Sequence, residues 1–333
     1  TEKDGSLSKI SLETLGAAVK LMYDLKDATL MVGLIGESTE KAAGQIAGCK
    51  ASTFYSVSGA QFGQSRYASD AAAAEALIKT CKATLVIAPA STRFARALPG
   101  AACRVEGRVD THISGFEMQG SELCAQRWYY RQRIKATFSR AQRPWILLCD
   151  SGIATAWQGQ AGSASVQNVP VTLSENQTRT QVTGIETPAS GTQTINPDAG
   201  LLFVAGAGWT KKQSDGQIHA KDAETIIREF LPKANASLGS SKSLVDQGSE
   251  GEAVLTILSH LNQVGQTGST PRHPKGLSTC CHGEEPHVVG WRFINERRAI
   301  NLDANCGWAH GKADVLYVAD AFEVMKKVNE LLK

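Results

Sequence analysis

Two short apolar runs, residues 29–35 (TLMVGLI) and 83–88 (ATLVIA), constrain the first half of the chain more than any other feature. Neither alternates polar with apolar, so each must be buried on both sides, and each is bracketed by sequence of helical period. Ahead of the first run, Leu12, Leu15, Ala18, Val19, Met22 and Leu25 recur at helical spacing and predict an amphipathic helix over residues 11–25. Between the runs lie an Ala-rich helix around residues 40–47 and a longer one over 71–80, with Ser69 and Asp70 as cap candidates. Helix, strand, helix, strand, with the strands apolar on both sides, predicts a parallel sheet covered by helices on both faces.

The pattern changes at residue 127. Arg127, Tyr129, Arg131, Arg133, Lys135 and Thr137 share one parity while mostly apolar residues take the other, which predicts a half-buried strand over 127–137. Residues 145–149 (WILLC) are its expected partner. From 158 to 202 there is no aromatic residue and no lysine, and small polar residues dominate. This reads as a linker, with short strands expected near 169–173 and 180–185. Strand-like segments at 201–205, 298–301 and 315–318 follow, with helices at 222–231 and 320–332, the last buried along Phe322, Met325, Val328 and Leu332. A length of 333 residues is twice the usual ~150 per domain. The expected division is a first α/β domain at 1–165, a linker region at 166–197 and a second α/β domain at 198–333.

Composition removes several function classes. A formal net charge of +3 is too small to argue for a nucleic-acid partner. The longest apolar stretch, residues 30–35, falls far short of the ~18 needed to span a bilayer. The eight cysteines show no secreted-framework spacing and favour a reducing compartment. The chain opens on Thr1 with no apolar or Arg-rich leader, which leaves open both a removed targeting segment and further residues upstream.

The sharpest local motif is Val264-Gly265-Gln266-Thr267-Gly268. Two glycines flanking a hydroxyl residue let a turn approach an anion closely and aim N–H groups at phosphate oxygens. A plain turn accounts for the same five residues. Gly239-Ser240-Ser241-Lys242 is a second Gly/Ser turn carrying a cation, and a helix C-cap followed by a turn accounts for it equally.

With these motifs a resemblance emerges. The succession LGAA at 15–18, GSSKSLVDQG at 239–248, VGQTG at 264–268, AINLD at 299–303 and ADVLYVADAFEV at 313–324 resembles the electron transfer flavoprotein α-subunit. DGSLSKISLETLGAAVKL at 4–21 and TLVIAPASTRFARALPGAA at 84–102 resemble that family's first domain. The resemblance implies an adenine-nucleotide-hydrolase-like parallel sheet followed by a Rossmann-like FAD-binding domain. It implies an FAD-carrying heterodimer with a β-subunit-like chain, passing electrons from acyl-CoA-type dehydrogenases to a quinone reductase in the mitochondrial matrix, or in the cytoplasm of a bacterium. Carried over, Gly265, Gln266, Thr267 and Gly268 would embrace the FAD pyrophosphate, with Ser241 and Lys242 where the family has Ser-Arg beside the flavin. His287 falls on the histidine near the ring carbonyl, and Asn301 and Asp314 match residues used toward the ribityl, ribose and adenine end.

Departures from the pattern define the alternative. A flavin-contacting arginine of the family falls on Gly208 here, and Lys242 replaces an arginine whose planar fork lysine lacks. The segment Cys280-Cys281-His282-Gly283-Glu284-Glu285-Pro286-His287 carries two carboxylates that would oppose a reduced flavin's charge. These changes favour a degenerate paralogue acting as an accessory subunit of a larger mitochondrial complex.

Three rival readings rank lower. Cys280, Cys281, His282, His287, Cys306 and His310 suit zinc by type, but the adjacent cysteines are poor chelate geometry and no metal is expected. The basic, aromatic stretch from 127 to 143 is better read as a solvated strand face, contacting a protein partner, than as a nucleic-acid surface. Asp150 and Ser151 lack a Gly-x-Ser-x-Gly elbow, so no catalytic residue is expected.

Overall fold

A computed structural model describes residues 1–25, 27–129, 134–184, 195–247, 253–265, 269, 271–280, 294–306, 309–310 and 313–332. The chain divides into two compact units, Thr1–Ile185 and Glu186–Lys333. Both are α/β, with parallel sheets flanked by helices.

In the first unit β1 (Met31–Gly36), β2 (Thr53–Ser58) and β8 (Val166–Asn168) form one parallel sheet in the order β1-β2-β8. A second sheet runs β3-β7-β4-β5-β6, from β3 (Leu85–Pro89), β4 (Arg108–Gln119), β5 (Glu122–Tyr129), β6 (Ile134–Phe138) and β7 (Trp145–Cys149). Helices α1 (Lys9–Asp24), α2 (Glu40–Gln45), α3 (Tyr67–Cys81) and α4 (Thr92–Arg104) connect the strands. β7 shows why the sequence folds this way. Ile146 and Leu148 pack with Leu77, Leu98 and Ala101 of α3 and α4, while Trp145, Leu147 and Cys149 pack with Leu21 of α1. All five β7 residues are buried, which is what an unbroken apolar run requires.

The structure corrects several expectations. The single strand expected at 127–137 is two strands: β5 pairs antiparallel with β6, so Arg127 lies opposite Ala136, and Arg127 and Lys135 stand on different strands. The parity of the sequence continues unbroken from Arg127 through Thr137, so two strands read as one. WILLC pairs with β3 and β4 instead, both parallel. Ser69 and Asp70 are not the cap of α3. Arg66 is the cap residue, and the buried Asp70 carboxylate accepts from the Arg66 N–H at 3.1 Å and from Arg93 at 2.6 Å. In the expected linker, the strand is β8 at 166–168, laid beside β2, rather than at 169–173, and 180–184 carry none. Among the described residues there, the single turn α5 (Glu175–Thr178) is the only helix.

The second unit is one parallel sheet ordered β10-β9-β11-β12-β13, from β9 (Leu201–Ala205), β10 (Ala236–Ser240), β11 (Lys275–Cys280), β12 (Glu296–Asn301) and β13 (Val315–Val318). Helices α6 (Ala220–Lys233) and α8 (Ala321–Leu331) cover one face, and α7 (Lys242–Asp246) follows β10. β9 alternates in the same manner: Phe203 and Ala205 join Ile227, Phe230, Phe322 and Met325, while Leu202 and Val204 join Val264 and Ile294 on the other face. No helix among the described residues is long and apolar enough to cross a membrane.

Candidate functional site

Strand order locates the crevice of the second unit. The chain steps from β9 outward to β10, then returns to the other side of β9 to lay down β11, so the topological switch lies between β9 and β11. In open parallel sheets the connections part there at the carboxyl ends of the strands, leaving a cleft where ligands bind.

The floor of that region is locked by side-chain bonds. After β9 a 3-10 turn, Ala207–Thr210, folds back with the Gly206 N–H on the Thr279 carbonyl at 2.8 Å. Trp209 is fully buried, and its indole N–H donates to Thr279 Oγ1 at 2.7 Å, which in turn donates to the Val204 carbonyl at 3.1 Å. Gly208 is buried within this turn, so the position that the resemblance pairs with an arginine contributes neither charge nor side chain.

Beside it, Ser241 follows β10 as the N-cap of α7. Its N–H donates to the Ala205 carbonyl at 2.9 Å and its hydroxyl accepts from Leu244 N–H at 3.2 Å, leaving the hydroxyl proton to donate. Lys242 pairs with Asp246 one turn along α7, and Asp246 also faces His260 at 3.8 Å. The cation expected beside a flavin is thus balanced by a carboxylate on its own helix. The signal was in the sequence, as Lys and Asp four residues apart share a helix face.

Gly265 joins this group. Gln263 bridges to Ser240, the Val264 N–H donates to the Ser240 carbonyl at 2.9 Å, and Gly265 closes onto the Ser269 carbonyl at 3.0 Å. Its φ of 126° is one that side-chain-bearing residues rarely adopt, so this turn requires glycine. Gln266, Thr267 and Gly268 lie outside the described residues, as does His287. Asn301 is the last residue of β12, buried, its side-chain oxygen accepting from Asp303 N–H at 3.0 Å. Ser241 and Gly265 sit together beside the end of β10. Asn301 is on the same carboxyl edge three strands away, about 14 Å at ordinary strand spacing.

Asp314 is not in that group. It immediately precedes β13, accepts from the Arg297 N–H at 2.7 Å and forms an ion pair with the Arg297 guanidinium at 2.7 Å. The hydrogen bonds from Arg297 hold its carboxyl below the usual aspartate range. Arg297 is the second residue of β12 and Asn301 the last, so Asp314 sits at the amino edge of the sheet, about 13 Å from the carboxyl edge.

Among the described residues no three His, Cys, Asp or Glu side chains gather as a metal ligand set. His310 instead meets the Ala304 carbonyl at 2.6 Å, and the side chains of Cys280, Cys281 and His282 lie outside the described residues. Ser151 donates to Glu13 at 2.9 Å while Asp150 faces the exposed His112 at 3.2 Å.

A family model described as the electron transfer flavoprotein domain matches residues 1–174, more than half of the chain and nearly all of its first unit. A search of the curated proteins returned no match. The matched residues carry the nucleotide-hydrolase-like α/β unit, and the family they define is flavin-associated and typically works as heterodimers. On this match, with the two α/β units in place, the chain belongs to the electron transfer flavoprotein family.

Proposed function

We propose that the chain is an α-subunit-like electron carrier that binds FAD along the carboxyl edge of its second sheet. The observation that carries this reading is the common edge: Ser241 and Gly265 at the end of β10 and Asn301 at the end of β12 flank the switch between β9 and β11. An extended dinucleotide suits a row of that length. The residues present fit its polar parts: a positive-φ glycine at Gly265 that begins a Gly-flanked turn, a donor hydroxyl at Ser241 and a buried amide at Asn301. In this reading Gln266, Thr267 and Gly268, which follow Gly265 in sequence, would contribute to the phosphate contact, and His287 would serve the flavin ring. A bound flavin would supply the one- and two-electron chemistry that side chains lack. The protein's part is to hold it, exclude water beneath it with Trp209, and set its potential through nearby charge. A β-subunit-like partner, acyl-CoA-type donors and a quinone-reductase acceptor, in the mitochondrial matrix, complete the reading.

A second reading has its own support. The Lys242–Asp246 pair and the buried Gly208 leave neither of the two positions that the resemblance pairs with arginine as an unbalanced cation, as expected of an accessory subunit that keeps the fold and loses the redox role. The absorbance spectrum of purified protein separates the two. Flavin bands near one per chain are expected, lowered by Thr267→Ala through loss of a hydroxyl contact of about 1 kcal/mol. Protein that stays colourless after reconstitution with FAD refutes the carrier reading and leaves the accessory one.

A further inference from the structure

Between the 3-10 turn Ala207–Thr210 and α6, residues 211–218 fold into a small hairpin beside the floor of the crevice. Lys212 and Ile218 form an antiparallel bridge, the Gln213 N–H donates to the Gln217 carbonyl at 2.9 Å, and the Gly216 N–H donates to the Gln213 carbonyl at 2.9 Å. Gly216 makes the reversal at a φ of 78°. The hairpin is fastened to the 3-10 turn at the Gly208 carbonyl, which accepts from the Gln213 side-chain amide at 3.1 Å and from the Lys211 N–H at 3.3 Å. Gly208 adjoins Trp209, so the hairpin's hold on this carbonyl bears directly on the floor.

His219 joins the hairpin to α6, and its ring stands between two carboxylates. Nε2 is 2.7 Å from Asp215 at the hairpin tip, and Nδ1 is 3.4 Å from Asp222 in the first turn of α6. The ring also packs on Phe322 of α8, 6.3 Å from centre to centre. The acids near Phe322 are turned to other partners: Asp320 caps α8 and Glu323 faces Lys326 at 3.9 Å. The charges acting on the imidazole are those of Asp215 and Asp222. Its two contacts cannot both survive the loss of a proton. An imidazolium has two N–H groups and serves both carboxylates, whereas a neutral imidazole has one and turns a lone pair on the other. The shorter contact keeps its hydrogen, so Nδ1 is the nitrogen left facing Asp222 without one.

We propose that His219 is a proton-operated latch: as imidazolium it ties the hairpin to the first turn of α6, and as neutral imidazole it keeps Asp215, releases Asp222 and loosens the hairpin. A proton then sets how firmly the crevice floor is held. The positive end of the α6 dipole opposes a cation at this N-cap. The hydrogen bond to Asp215, and after it the charges of Asp215 and Asp222, nonetheless outweigh burial and hold the pKa of His219 above its ordinary value. A raised folded value fixes the sign. The latch is fully engaged below the unfolded pKa of about 6.5 and is lost as pH rises through the higher folded value. Flavin takes no part in it, so its failure leaves the carrier reading untouched.

The test is NMR on the isotope-labelled full chain without flavin. The His219 ring and the exchange of the Lys211 and Gln213 N–H groups are followed from mildly acidic to mildly alkaline pH, with exchange corrected for its intrinsic pH dependence. The ring is expected to titrate with a midpoint above about 6.5, and protection of both amides to fall about three- to fivefold through the same midpoint, the scale of a half-exposed ion pair. In His219→Gln protection should sit at the released level throughout. Asp222 is exposed, so Asp222→Asn should fold normally, lower the ring's midpoint and abolish the step in protection. Protection that stays flat while the ring titrates, a midpoint at or below about 6.5, or a step that persists in either variant overturns the latch.

Discussion

Asp110→Ala tests whether the first unit is held by a buried polar clamp as much as by apolar packing. Asp110 is buried in β4, its carboxylate held by Arg140 through Nε and an Nη at 2.8 Å each and by the indole N–H of Trp145 at 2.9 Å. Removing it leaves the N–H of a fully buried tryptophan without its acceptor, about 1–3 kcal/mol. Breaking a fully buried ion pair costs about 3–5 kcal/mol, but the Arg140 side chain is 36% exposed and its guanidinium can turn to water, which removes much of that charge cost. The expected loss is about 3 kcal/mol. It reads out as roughly 100-fold faster exchange of the Ile146, Leu147 and Leu148 amides, whose strand reports opening of the whole unit. In a Trp145→Phe background the same substitution should cost about 1 kcal/mol less, since the stranded N–H is already gone. Less than fivefold acceleration in the single variant refutes the clamp.

The same carboxylate gives a pH dependence. Burial works to raise its pKa, but the hydrogen bonds from Arg140 and Trp145 outweigh it and hold the group below its ordinary value. The stability it contributes is present above the unfolded pKa of about 4 and is lost as pH falls through the lower folded value, so acid unfolding should begin near pH 4 and flatten in Asp110→Asn. Asp320 caps α8 by accepting from Phe322 N–H at 2.7 Å and Glu323 N–H at 3.2 Å, and Asp320→Ala should cost about 1 kcal/mol in urea unfolding of the second unit. Gly265→Val forces a side-chain-bearing residue into a φ of 126° and should destabilise that unit by about 1–3 kcal/mol while releasing bound flavin, read by dialysis and absorbance.

The strands legible in sequence were those buried on both faces. β1, β3, β7 and β9 carry unbroken apolar runs that no surface element tolerates. β2 (TFYSVS) and β4 were missed because their mixed polarity comes from lying where one side is half-exposed. α4 was missed because Pro99 interrupts it in sequence, although Ser91 caps it by accepting from Phe94 N–H at 3.3 Å. At the site, a motif carried over by residue type says nothing about which end of a strand it occupies. The strand reading nonetheless held the distinction, with Asn301 closing one apolar run and Asp314 opening the next.

The tryptophan under the switch point has an optical consequence. Trp209 stands 4.6 Å from Phe322 and 6.5 Å from Phe203, ring centre to ring centre, with its indole fixed by Thr279. A dry, immobilised indole emits in the blue part of the tryptophan band, where an isoalloxazine ring absorbs. Any flavin seated at the carboxyl edge above it would drain that emission by resonance transfer, so the fold carries its own fluorescent gauge of occupancy.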